Sequence, residues 1–323
     1  MRACVLKGIG RLESESVAAP YCNKGEALVR VRACGICSSD LDRFHSGAYH
    51  YPLILGHEIA GEIIATADDL DKNLVGKRVV VFPLLPCKQC QNCTKQYYAQ
   101  CENYDYFGSR RDGGFAEFLS VPLWNLKVFE NRFDFLTASL CEPAAVAKHA
   151  FSKLRAHDKE ICIIGSGVVG ILVGIWAQHA NMHVFFVARN AEKARFLESL
   201  GFGIVSGERR FDSCVECVGS EESLQFCVEA TKTKGRIVLV GNPKTAMRLS
   251  QKIYWRILRQ ELDVVGVWNS DYPSDWDFVL QNLDKIPTQK LITHTFGLHE
   301  CQKAFELLSQ MSHFHIKGTF VDA

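Results

Sequence analysis

The stretch Ile161-Cys-Ile-Ile-Gly165-Ser-Gly167-Val-Val-Gly170 constrains this chain more than any other. A short apolar run, read as a strand over Glu160–Ile164, leads straight into G-x-G-x-x-G, and helical spacing follows over Val168–His179. In that setting the first glycine permits the tight turn and the second lets a pyrophosphate approach the backbone. The third packs helix against strand, and the helix N-terminus offers free N–H groups and positive partial charge. The pattern alone is weak. Between a strand and a helix it reads as a dinucleotide cradle formed by Gly165, Gly167, Val168, Val169 and Gly170. The same reading accounts for the uncharged run 161–177, which is shorter than the ~18 residues that suggest a membrane span.

The alternation continues downstream. Residues 183–187, 211–218, 235–240 and 263–267 read as apolar strands, and 144–154, 191–200, 221–231 and 249–260 as helices. Strands alternating with helices imply βαβ units, so a doubly wound parallel sheet is expected over 145–267. Upstream, residues 2–6, 26–34, 59–65 and 77–82 have the alternation of half-buried strands, which makes 1–144 β-rich. After Trp268 the mixed character returns, with a helix near 299–310 and a closing strand at 317–321, so 268–323 is expected to rejoin the first domain. The fold class is α/β in two domains, as a length of 323 residues suggests.

In a cofactor domain of this kind the second strand ends in Asp or Glu when the ribose carries a free 2′-hydroxyl. Here the chain reads Phe186-Val187-Ala188-Arg189-Asn190, a small residue followed by a guanidinium suited to a phosphate. NADP(H) is therefore expected over NAD(H). Arg189 as a solvated surface residue is the other reading. Val218, Val240 and Gly241, at the ends of later strands, complete the expected cofactor contacts.

Fourteen cysteines in a chain of this size suggest either disulfides or metal, and spacing decides between them. Cys87, Cys90, Cys93 and Cys101 form C-x2-C-x2-C-x7-C inside 83–111, a segment with little periodicity of its own. Four thiolates in one short loop close a tetrahedral zinc site of the structural kind, whereas Fe–S runs have other spacings. A second constellation is more open. Cys34-Gly-Ile-Cys37-Ser-Ser39-Asp40, Leu55-Gly-His57-Glu58 and Cys141-Glu142-Pro143 offer a thiolate, an imidazole and carboxylates, the mixed set of a catalytic zinc. A His-Glu pair serves equally well as a satisfied structural pair, and spacing alone does not separate the two.

Charge excludes one class of partner. With 37 Lys+Arg against 36 Asp+Glu, the net charge is +1, and no basic excess exists to neutralise nucleic-acid phosphates. The start, Met1-Arg-Ala-Cys-Val-Leu-Lys7, places charges where a signal peptide needs an apolar core, so neither export nor membrane attachment is expected and the location is read as cytoplasmic.

Taken in order, C-G-I-C-S-S-D, G-H-E, C-x2-C-x2-C-x7-C and G-S-G-V-V-G resemble the zinc-dependent medium-chain dehydrogenase/reductase superfamily across essentially the whole chain. Glu142-Pro143, in place of a cysteine ligand, resembles the polyol (sorbitol) dehydrogenase branch. The stretches 47–58, 83–87, 108–117 and 257–262 extend the likeness to its polyol-phosphate members. The resemblance implies a GroES-like catalytic domain, carrying the structural zinc lobe at 83–111, and a Rossmann cofactor domain. It implies two Zn2+ per chain, with Cys37, His57 and Glu142 as catalytic-zinc ligands and Glu58 as a nearby or exchanging one. Ser39 would pass on the substrate proton, and Ala188, Arg189 and Lys193 would meet the ribose or its 2′-phosphate. The implied reaction interconverts a secondary alcohol of a small-molecule polyol, or its phosphate, with the ketose, in a homodimer or homotetramer. Other zinc alcohol dehydrogenases (threonine-dehydrogenase-like or secondary-alcohol enzymes) and a non-catalytic NADPH-binding protein are the alternatives. Arg110, Arg111, Lys148, Arg256 and Arg259 are the cations weighed for a substrate phosphate. Two departures from the family stand out: a short connection at 201–211 where a further helix is usual, and Gly266-Val-Trp268-Asn269 at a variable substrate-facing position.

Overall fold

The computed structural model describes residues 1–310 and 314–321. The chain divides into two units, Met1–Glu142 with Asp271–Ala323, and Pro143–Ser270.

Two larger sheets and a two-stranded pair, Leu84–Leu85 with Asp105–Tyr106, make up the described strands of the first unit. One larger sheet runs in the order Leu126–Val128, Arg78–Val81, Glu58–Thr66, Glu26–Ile36, Lys317–Val321, Ile292–Phe296, with Phe118–Pro122 also paired to Glu26–Ile36. The other holds Arg11–Ser16, Arg2–Gly8 and Leu53–Ile54. Alternation sets the inward face of the long strand, where Ala27, Val29 and Val31 are buried. Leu6, Leu55, Phe115, Phe305 and Phe320 lie in the same core. Arg11–Ser16 has no apolar pattern to announce it, since Leu12 is its one large apolar residue. Its edge position against Arg2–Gly8 makes it a strand. The closing strand Lys317–Val321 lies antiparallel to Glu26–Ile36, with Gly318 opposite Ile36, while Gly35 faces Glu58 on the other side. Residues from the two ends of the chain thus meet in one sheet.

The second unit is a six-stranded sheet, whose elements are numbered here within the unit: β1 (Glu160–Ile164), β2 (His183–Val187), β3 (Gly203–Ile204), β4 (Phe211–Glu216), β5 (Thr231–Leu239) and β6 (Asp263–Gly266). All neighbours are parallel and the order is 3-2-1-4-5-6, the doubly wound arrangement of dinucleotide-binding sheets. Its helices are α1 (Val168–His179), α2 (Ala191–Ser199), α3 (Glu221–Ala230) and α4 (Gln251–Arg259). Between β3 and β4 the chain has no helix: a two-residue strand is followed by irregular backbone to Phe211. The helix expected over 144–154 begins earlier, at Cys141. Pro143 does not prevent this, because a first-turn residue has no intrahelical N–H bond to lose.

Trp276 lies in the interior of the first unit, packed against Phe82 and Tyr272. It is fully buried, with ring centroids 5.6 Å from Phe82 and 6.2 Å from Tyr272. Trp276→Ala is expected to destabilise this unit by about 3–5 kcal/mol, read from the shift in its urea unfolding midpoint.

Candidate active site

Cys37 precedes the helix Ser38–Ser46, and its backbone N–H donates to Asp40 Oδ2 at 3.0 Å. That turn presents the thiol towards the end of the strand Glu58–Thr66, so that ligand atoms of Cys37, His57 and Glu58 all lie within 4.8 Å of one another. Asp40 is fully buried, with Oδ1 3.5 Å from His57 Nδ1 and 3.9 Å from Arg43. Burial acts to raise the Asp40 pKa, but His57 and Arg43 outweigh it and hold it below the usual carboxylate range. Burial likewise acts against a charged His57, and Asp40 and Cys37 hold its pKa well above the ordinary value. With Nδ1 turned to Asp40, Nε2 is the nitrogen left for a metal, the carboxylate–histidine arrangement that orients such ligands.

Glu58 is held from the far end of the chain. Lys317 is buried, donates to the Ile36 carbonyl at 3.0 Å and makes a close ion pair with Glu58 Oε1. Glu58 Oε2 is buried without a hydrogen-bond partner among the described residues. A buried carboxylate oxygen left unmatched is costly, and a cation bridging it to the Cys37 thiol and His57 removes that cost. The set of one thiol, one imidazole and one carboxylate suits zinc. Sequence reasoning assigned no role to Lys317, which lies 259 positions from its partner, or to Asp40, whose signal was its place three residues after Cys37.

Glu142 lies beside this group rather than within it. Tyr106 Oη donates to Glu142 Oε1 at 3.4 Å, and the Tyr106 ring packs edge-on to His57 at 5.7 Å. Burial pushes the Glu142 carboxyl up to about 7; His57 opposes the rise and Glu58 adds to it. Ser39 sits half-buried in the first turn after Cys37, where its carbonyl accepts from Arg43 Nη1 at 2.8 Å.

Cys87, Cys90, Cys93 and Cys101 form a second compact group, with Sγ atoms 4.0 Å apart for Cys87–Cys93 and 3.9 Å for Cys90–Cys101. These separations are far longer than a disulfide and close to the about 3.8 Å edge of a tetrahedron with 2.3 Å zinc–sulfur bonds. Backbone N–H groups of Glu102 and Cys93 draw the Cys90 thiol down to about 6, and those of Gln89 and Cys90 lower Cys87. Only two-residue strands, Leu84–Leu85 and Asp105–Tyr106, border this loop.

In the second unit the three glycines divide their work as the motif implies. Gly165 has φ 111°, a conformation that favours glycine, and a Cβ on Gly170 would overlap the Gly165 carbonyl oxygen. Gly167, at the head of α1, has open space where a Cβ would lie, so a ligand can approach Val168 and Val169. Ala188 and the exposed Arg189 follow β2, and Asn190 Oδ1 accepts from Lys193 N–H to cap α2. Partial burial lowers the Lys193 pKa. Val218, Val240 and Gly241 converge on a residue that sequence reasoning passed over. Glu216 Oε1 accepts from Val218 and Gly219 N–H and from Ser223 Oγ, and its carbonyl accepts from Val240 and Gly241.

The cations weighed for a phosphate differ in their commitments. Arg111 lies 3.5 Å from Asp105, Arg256 donates to the Val228 and Glu229 carbonyls, Arg259 stacks on Trp255, and Lys148 lies over Phe151. Arg110 donates to the Tyr104 carbonyl at 2.6 Å and has no carboxylate partner among the described residues.

Gly35 shows how closely the first site is packed, because a Cβ there would fall on Glu58 Oε2 and within 2.9 Å of Lys317 Cε. Gly35→Ala is expected to cost about 1–3 kcal/mol, since backbone or buried ion pair must shift. A lowered thermal midpoint checks this, and an unchanged one would mean that Glu58 relocates freely.

Residues 23–129 match the alcohol dehydrogenase GroES-like domain and residues 168–285 the zinc-binding dehydrogenase domain. The chain is 33% identical over 287 residues to galactitol 1-phosphate 5-dehydrogenase of Escherichia coli K12, covering 83% of this chain and 82% of that one. A crystal structure of galactitol-1-phosphate dehydrogenase from Escherichia coli superposes with a TM-score of 0.92 at 29% identity, over 100% of both chains. A zinc-binding dehydrogenase from Sinorhizobium meliloti 1021, bound to NADP, superposes with a TM-score of 0.89 at 25% identity over 99% of each. Among the described residues no helix is long and apolar enough to cross a membrane. With its GroES-like and Rossmann-type domains, the chain belongs to the zinc-dependent medium-chain dehydrogenase/reductase superfamily and is an alcohol or polyol dehydrogenase.

Proposed function

We propose that the protein interconverts a secondary alcohol of a polyol phosphate and the corresponding ketose phosphate, with NADP(H) as hydride carrier and two zinc ions per chain. The observation that carries the reading is the Cys37–His57–Glu58 group, with His57 and Glu58 buried and one Glu58 oxygen unmatched among the described residues, in a chain whose relatives include a polyol-phosphate dehydrogenase. Cys37, His57 and Glu58 would hold the catalytic ion, with Glu142 as a neighbouring or exchanging ligand; Cys87, Cys90, Cys93 and Cys101 would hold the structural one. The chemistry that zinc supplies in such a site is Lewis acidity, which eases loss of an alcohol proton near neutral pH.

The chain's own groups supply the rest. Ser39 accepts the departing proton and passes it outward. Asp40 fixes the His57 ring, and Lys317 pins one Glu58 oxygen so that the other stays available. Glu142, oriented by Tyr106, stands beside the reacting hydroxyl as a further proton acceptor. Gly165 to Gly170 hold the pyrophosphate, and Arg189, with Lys193 nearby, reads the 2′-phosphate in place of the carboxylate that NAD-specific sheets carry. The Sinorhizobium structure with bound NADP supports this preference.

Three variants and the parent enzyme's cofactor preference test this. Cys37→Ser is expected to abolish turnover and remove one zinc equivalent per chain while keeping the parent's secondary structure by circular dichroism; unchanged turnover overturns the assignment. Cys90→Ser is expected to remove the other equivalent and to lower the midpoint, because the loop has little else to fold around. Arg189→Ala is expected to raise KM for NADP+ by about tenfold or more and to move KM for NAD+ little, the loss expected of one charge-assisted contact. Comparable kcat/KM for both cofactors in the parent enzyme removes the NADP(H) preference.

A further inference from the structure

A substrate that carries a phosphate needs a cation at a fixed distance from the reacting hydroxyl, and most cations of the first unit are already engaged. Arg43 bonds the Ser39 carbonyl and faces Asp40, Lys127 pairs with Asp277, Arg111 with Asp105, and Lys317 with Glu58. Arg110 differs. Its guanidinium lies 3.9 Å from the Tyr104 ring centroid and 5.6 Å from that of Tyr49, and among the described residues only its Nη1 has a hydrogen-bond partner, the Tyr104 carbonyl. Stacking covers the faces of a guanidinium and leaves its edge, where bidentate phosphate contact is made.

The backbone ties this cation to the reactive group. The Tyr106 carbonyl accepts from the N–H groups of Ser109, Arg110 and Arg111, at 3.3, 3.0 and 3.3 Å. The same Tyr106 reaches Glu142 through its hydroxyl and His57 through its ring. One tight turn therefore bears the aromatic contact to the metal-type ligand group at one end and the half-buried guanidinium at the other. His50 braces the turn from the neighbouring loop, with Nε2 3.2 Å from the Arg110 carbonyl and Nδ1 3.1 Å from that of Pro52. Tyr49, 72% exposed, closes over the guanidinium from the same loop.

We propose that Arg110, held between Tyr104 and Tyr49, binds the phosphate of the polyol phosphate and thereby sets the enzyme's preference for phosphorylated over free polyols. This rests on the polyol-phosphate reading above and assigns its phosphate to one residue. Steady-state kinetics of the zinc-loaded enzyme with NADP+, on a hexitol 1-phosphate and on the same hexitol without phosphate, test it. The ratio of kcat/KM for ester over free polyol is expected to fall about tenfold or more in Arg110→Gln, through KM for the ester, and to recover in part in Arg110→Lys. In Arg111→Gln, whose side chain is paired with Asp105, the ratio is expected to hold. Arg110 is overturned as the phosphate contact if Arg110→Gln leaves the ratio in place or lowers both substrates alike. A parent enzyme that oxidises both hexitols equally well also overturns it, while leaving polyol dehydrogenation standing. A parent enzyme with both zinc equivalents that oxidises neither overturns the proposed function and this inference together.

Discussion

The ion pair of Glu58 and Lys317 is the interaction on which the first unit's architecture turns. Withdrawing a carboxylate and an ammonium from water costs several kcal/mol for each ion, and only close pairing with further hydrogen bonds offsets it. Both side chains are at most 2% exposed, and the two come from opposite ends of the sequence. Their meeting requires three strands in register, Glu58–Thr66 against Glu26–Ile36 and that strand against Lys317–Val321. Gly35, opposite Glu58, supplies the space. The closing strand is thus the element that brings the counter-charge to the site, which gives the return of the chain to its first unit a physical purpose.

Around that pair the buried groups are out of balance in charge. Asp40, Glu58 and Glu142 are three buried carboxylates against the buried His57 and Lys317, with the half-buried Cys37 thiol beside them. Asp40 is matched by His57 and Arg43, and one oxygen of Glu58 by Lys317, so the deficit falls on the other Glu58 oxygen and on Glu142. At Glu142 burial is the main cause of a carboxyl raised to about 7; Glu58 adds to the rise, while His57, Lys317 and Tyr106 oppose it. A divalent cation among thiol, imidazole and carboxylate is what such a set accommodates, and its charge dominates the local field once bound.

How legible each part was followed from how local its physics is. The Cys₄ group could be read because all its ligands fall between Cys87 and Cys101, and the glycine turn because Ile161 to Gly170 contains strand end, turn and helix start together. The βαβ alternation was legible for the same reason, whereas Arg11–Ser16 was not, having no apolar period of its own. The short link at 201–211 was visible as a missing length of chain. That it still contributes the edge strand Gly203–Ile204, paired to His183–Val187, was visible only in the sheet.

The sequence by itself determined the α/β class, the thiol cluster, the glycine turn and the candidates Cys37, His57, Glu58 and Glu142, since each is carried by residue type at short spacing. Only the tertiary structure decided how those candidates group. It draws Glu58 in with Cys37 and His57, sets Glu142 beside them under Tyr106, and supplies Lys317 from 259 residues away. Likewise it decided that Val218, Val240 and Gly241 share Glu216 as their common acceptor site. The reason is the same throughout: short spacings fix which ligands a loop can offer, but the pairing of buried charges depends on strand register, which no local pattern encodes.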